Sequence, residues 1–75
     1  MTRNEFIKFL KEFRTDLKDN SSVWENKTLE DFLQAMESYT KDVQGYYDNM
    51  KMEIDADKPT WENFKTILMG AKIYE

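Results

Sequence analysis

Three stretches of the chain place apolar residues at helical spacing, separated by two stretches that lose the period. In the first, Phe6, Leu10, Phe13 and Leu17 fall on one face at 100° per residue with Phe9 at its edge, while Lys8, Lys11, Glu12 and Lys18 lie elsewhere. Thr2 followed by Glu5 has capping-box spacing, so this pattern predicts a helix over about residues 3–18, ended by the turn formers Asp19-Asn20-Ser21-Ser22. The second stretch opens at Thr28, with Glu30 and Asp31 in the first turn where the helix dipole favours negative charge. Leu29, Phe32, Leu33, Met36, Tyr39 and Val43 then keep one face, which Tyr47 continues with Tyr46 at its edge, predicting a helix over about 29–44 with Gly45 as its stop or weak point.

From Gly45 to Pro59 the helical period is lost, and Met50, Met52 and Ile54 alternate with charged residues. This reads as a connector with partly buried methionines. Pro59-Thr60 opens the third element, over about 60–74, whose buried face comprises Trp61, Phe64, Ile67, Leu68 and Ala71, with Tyr74 at its edge. Met69 and Ile73, four residues apart, project off that face. Either this helix is buried on two sides, or the two side chains form a contact stripe. The fold class implied is an all-α three-helix bundle in one domain, residues 1–75.

The triplet Trp-Glu-Asn occurs at residues 24–26 and again at 61–63. Relative to the expected caps the copies are out of phase: Trp24 precedes Thr28 by four residues, while Trp61 follows Thr60. Trp24 is expected to plug the bundle from a loop, Trp61 to enter the core from a first turn, and the two triplets are not one helix-start device used twice.

Composition bounds what such a bundle can be. A chain of 75 residues buries only about 60–65% of the surface its unfolded form would expose, so its stability margin is a few kcal/mol and every large apolar side chain is needed. Eleven aromatic residues in an apolar content of 40% exceed what disordered chains carry. The absence of cysteine removes disulfides and thiolate metal sites as sources of stability and makes the cytoplasm the default expectation. The charged, interrupted N-terminal sequence is not expected to be a signal peptide or a membrane span. Net charge is -4, but its distribution is uneven. Five basic against four acidic residues give +1 over 1–24, three against nine give -6 over 25–57, and three against two give +1 over 58–75. A nucleic-acid binder needs a basic stripe to displace counterions. An acidic middle instead favours a protein partner with a basic surface.

The pattern WEN-x-TLEDFL-x-AM at 24–36, GYY at 45–47, PTW at 59–61 and ILMGAKIYE at 67–75 covers most of the chain. On these motifs the sequence resembles a family of small bacterial proteins classed as a domain of unknown function. The resemblance implies a compact single domain from bacteria or their phages, and it carries over no catalytic residue.

Candidate chemistry is sparse. With no histidine or cysteine, and no evident base for Ser21, Ser22 or Ser38, nucleophilic triads are excluded. Asp48, Glu53, Asp55 and Asp57 crowd the connector, but an EF-hand begun at Asp55 needs glycine and glutamate where Thr60 and Thr66 stand. No enzyme activity, cofactor or dedicated metal site is expected. The better candidate is a recognition surface: Tyr46, Tyr47, Asp48 and Asn49 after the second helix, with Glu37 and Asp42 supplying charge and Met69 and Ile73 a second apolar stripe. The leading expectation is therefore a small acidic protein-binding module of an immunity-like or inhibitory kind. The alternatives are a homodimer through Met69 and Ile73, and an acidic mimic of DNA.

Overall fold

The computed structural model describes residues 1–75. It contains three α-helices, α1 (Arg3–Asp19), α2 (Leu29–Asn49) and α3 (Trp61–Ile73), with one 3-10 turn at Ser21–Val23. The chain is an all-α three-helix bundle, and none of its helices is long and apolar enough to cross a membrane.

Local signals set the helix starts. Thr2 Oγ1 accepts from the Glu5 N–H at 3.1 Å while Glu5 Oε1 accepts from the Thr2 N–H at 2.7 Å, closing the capping box. Thr28 and Thr60 each accept from the N–H three residues on, Asp31 and Asn63, both at 3.1 Å. At Thr28 no return bond from Asp31 is formed, since aspartate is one methylene shorter than the glutamate of a box.

The end of α2 departs from the sequence expectation. The helix runs through Gly45 and stops five residues later than expected. Glycine in a helix interior costs about 1 kcal/mol, which is less than the burial of Tyr47 two residues on can supply. Termination falls instead on Lys51, whose φ of 55° is left-handed. Its N–H donates to Asp48 O at 3.1 Å and the Met52 N–H to Tyr47 O at 2.8 Å, a Schellman arrangement with lysine in the place usually held by glycine.

Packing runs in two layers. α3 lies along α2, and α1 crosses mainly over α3. The molecule is only 19 Å across its thinnest dimension, about two helix diameters. Its radius of gyration of 12.6 Å exceeds the roughly 11 Å typical for this length. A body this thin has little interior, so the expected apolar stripes are only partly covered. Phe9, Trp24, Ala35, Val43, Tyr47 and Ala71 are buried, but Leu10, Leu29, Leu33 and Phe64, all expected in the core, are exposed. The connector methionines Met50 and Met52 are likewise exposed rather than partly buried, and only Ile54 is half-buried.

What core exists is aromatic and continuous. Ring centroids link Phe64 to Trp61 (5.8 Å), Trp61 to Phe6 (5.1 Å), Phe6 to Phe9 (5.7 Å), Phe9 to Phe13 (5.2 Å), Phe13 to Trp24 (4.7 Å) and Trp24 to Phe32 (6.2 Å). All five phenylalanines and both tryptophans thus form one ladder along α1, at separations where aromatic pairs attract beyond simple burial. Lys65 and Lys72 of α3 place their ammonium groups 5.4 Å from the Phe9 and Trp24 rings, covering the ladder from the other side.

Trp24 plugs the bundle as expected of a loop anchor, and Trp61 is half-buried in the first turn of α3. The repeated triplet nevertheless shares one function in its asparagines. Asn26 Nδ2 donates to Ala71 O at 2.9 Å and Tyr74 O at 2.7 Å, closing the C-terminal end of α3. Asn63 Nδ2 donates to Asp55 O at 2.9 Å and Lys58 O at 2.8 Å, and its Oδ1 accepts from Tyr47 Oη at 2.6 Å. Each carboxamide holds two carbonyls of a segment distant from its own helix register.

Candidate functional site

The four tyrosines stand apart from the Phe/Trp ladder, on α2 and at the end of α3. Because α2 continues past Gly45, Tyr39, Asp42, Tyr46 and Asn49 follow at i, i+3, i+7 and i+10 and share one helical face. Tyr74, just after α3, closes the face from the side. Its ring meets Tyr39 edge-on at 5.1 Å and 70°, and its hydroxyl donates to Asp42 Oδ2. Together with Gly45, Met50 and the cation Lys41 these residues line an open groove of about 620 Å³.

Two glycines shape the groove. At Gly70 in α3, an added Cβ would stand 2.1 Å from the Tyr39 ring, so the ring lies directly on the α3 backbone. At Gly45 an added Cβ would meet nothing within 4 Å. Gly70 is required by a close approach, whereas Gly45 simply leaves the middle of the groove clear.

Two phenols of the groove, Tyr39 and Tyr74, are held in their neutral form. Burial, reinforced by the neighbouring Tyr46 and Tyr47 hydroxyls, raises the Tyr39 pKa. The hydrogen bond to Asp42 raises that of Tyr74. Neither tyrosine is poised as a phenolate nucleophile, and no base accepts from a serine or threonine in a catalytic arrangement. The structure also leaves Asp48, Glu53, Asp55 and Asp57 ungathered: no group of three or more carboxylates is formed that would hold a metal ion. What the arrangement offers is a rigid, amphipathic aromatic concavity with one carboxylate in its lining.

The residues expected to form a partner surface divide accordingly. Tyr46, at 43% exposure, Asp42 and Asn49 line the groove. Tyr47 does not: at 1% exposure it is an interior residue bonded to Asn63, and it offers a partner no surface. Asp48 is exposed on the adjoining turn and accepts from Gln44 Nε2 at 3.1 Å. Glu37 is exposed one turn away, paired with Lys41 at 3.5 Å. Met69 and Ile73 are outside the groove at 49% and 57% exposure: α3 packs against both α2 and α1, yet these two side chains stay uncovered, Met69 in a depression beside α1. Tyr39, Tyr74, Gly45 and Met50 were missed as groove residues. The i, i+3, i+7 spacing of Tyr39, Asp42 and Tyr46 carries the signal, and it is lost only when Gly45 is taken as the helix end.

The fold and groove define the class: a small all-α bundle presenting a surface concavity lined by tyrosines. Residues 2–75 match the model of DUF7660, a family of unknown function, and the chain belongs to that family. No curated protein and no solved structure matches the chain.

Proposed function

We propose that this domain is a non-enzymatic protein-binding module, inhibitory or immunity-like in mode, that occupies a partner's surface through the tyrosine groove. The groove itself carries this reading: three tyrosines around a cleared glycine, with Asp42 among them and Asp48 nearby, while the one lining cation, Lys41, is paired with Glu37 at 3.5 Å. Tyrosine contributes broad contact area with little rotamer entropy to lose, and a carboxylate among phenols suits a lysine or arginine whose stem packs on the rings. The partner chemistry is therefore a basic surface element, and a cysteine-free chain suits a cytoplasmic setting.

Affinity capture from the native host, compared between wild type and the exposed variants Tyr46→Ala and Asp42→Lys, tests it. A discrete partner retained by wild type, released by salt and lost with both variants is the expected result. A protein captured equally by all three, or none at all, counts against the proposal. A second reading rests on the exposure of Met69 and Ile73, which gives self-association through these two side chains of α3 a concrete surface. Sedimentation then shows a dimer that Met69→Asp converts to monomer; a monomeric wild type rejects it.

A further inference from the structure

A second groove lies apart from the tyrosine groove. Between the end of α1, the loop through Trp24 and the first turn of α2, Phe13, Trp24 and Phe32 form the floor and Leu17 and Leu29 the walls of a concavity of about 280 Å³. Its rim is Arg14 and Lys27, and no carboxylate lines it. Arg14 and Leu17 are shared with an adjoining depression that adds Lys11 and Lys18. Of these four cations none is engaged in an ion pair; the ion pairs of the chain involve only the N-terminus, Lys41 and Lys72. In a protein of net charge -4, the residues lining these two depressions include four unpaired cations and no carboxylate, the nearest acidic residues in sequence to Lys27 being Glu25, Glu30 and Asp31. Leu29 stands on the groove wall at 74% exposure, an uncovered anchor point in the first turn of a capped helix.

We infer that this groove is a docking site for an acidic amphipathic peptide segment of a partner protein, which inserts one bulky apolar side chain between Leu17 and Leu29 while its carboxylates pair with Arg14 and Lys27. Size and charge together select that occupant. The volume falls at the lower edge of small-molecule sites, about 300–1,000 Å³, and matches an anchor side chain better than a whole cofactor. The shelf of cations beside it fixes the sign of the flanking residues. An anionic membrane is the poorer match, because the aromatic floor is recessed and the whole molecule is negative. The groove shares no lining residue with the tyrosine groove, so the two proposals stand or fall separately.

Selection of a displayed library of random short peptides on the purified full chain tests this directly. The expected winners carry a leucine or aromatic residue flanked by aspartate or glutamate. A synthetic representative shifts the Trp24 indole N–H resonance and loses about tenfold or more in affinity against Arg14→Glu/Lys27→Glu. Leu29→Asp, altering only an exposed side chain, is the second variant and weakens binding comparably, with unchanged circular dichroism for both. The inference is overturned if no acidic-apolar class is selected, if the peptide binds the charge-reversed variant or its own amide-substituted form equally well, or if phosphatidylserine vesicles bind the groove in preference to the peptide.

Discussion

At the scale of single residues, two glycines with the same helical backbone have opposite roles. Gly45 faces open space, so Gly45→Ala relieves the helix-interior penalty and is expected to stabilise the protein by about 0.5–1 kcal/mol in urea titration. Gly70 supports the Tyr39 ring, so Gly70→Ala displaces an aromatic side chain and is expected to destabilise by about 1–3 kcal/mol despite better helix propensity. A common sign for the two changes would show that propensity, not contact, governs both. Asn63 is the other decisive residue: it is buried, and its carboxamide satisfies two carbonyls and a phenol. Asn63→Ala leaves those groups short of partners and is expected to cost about 3 kcal/mol, read from the denaturation midpoint.

Among the elements, the extension of α2 matters most, because it converts Tyr46 and Asn49 from loop residues into members of a helical face. Its stop is suboptimal: lysine at a left-handed φ is strained, and Lys51→Gly is expected to raise stability by about 0.5–1 kcal/mol with the Schellman bonds intact. The connector that follows is held by side chains: Gln44 Nε2 donates to Ile54 O at 3.0 Å and its Oε1 accepts from the Ala56 N–H at 2.8 Å. α1 is joined to α3 by Asp16, which accepts from Lys72 Nζ at 2.7 Å and from Trp24 Nε1 at 2.8 Å. The Lys72 bond, then the Trp24 bond, lower the Asp16 pKa below its ordinary value. A carboxyl depressed in the folded state contributes stability that is present above its unfolded pKa, about 3.9, and is lost as pH falls through the folded value. Thermal melts of the wild type should therefore decline as pH drops below about 4, and Asp16→Asn should flatten that part of the acid limb.

For the whole molecule, thinness dominates. With two helix layers, the aromatic ladder must supply much of the cohesion that a deeper aliphatic core supplies elsewhere. Trp24, buried and touching both Phe13 and Phe32, joins α1 to α2. Trp24→Ala is expected to cost about 3–5 kcal/mol, enough to abolish cooperative unfolding in a domain this small, whereas Trp61→Ala at a half-buried site should leave a measurable transition. The same thinness leaves Leu10, Leu29, Leu33, Met69 and Ile73 on the surface.

The sequence by itself determined the all-α class and the three helix starts, because a cap and an apolar period act within one or two turns of chain. The caps at Thr2, Thr28 and Thr60 depend on neighbours three residues away. Which part of each stripe is covered, where α2 ends and what the asparagines hold were decided by tertiary structure. Leu29 and Phe32 sit on one sequence stripe, but only the layer geometry exposes the first and packs the second on Trp24. Gly45 marks a helix end on local grounds, and the burial of Tyr47 against Asn63, sixteen residues away, overrides it. The tyrosine groove shares that origin: its α2 side is a periodic pattern, whereas Tyr74 and the Gly70 contact come from a helix whose approach no local signal specifies.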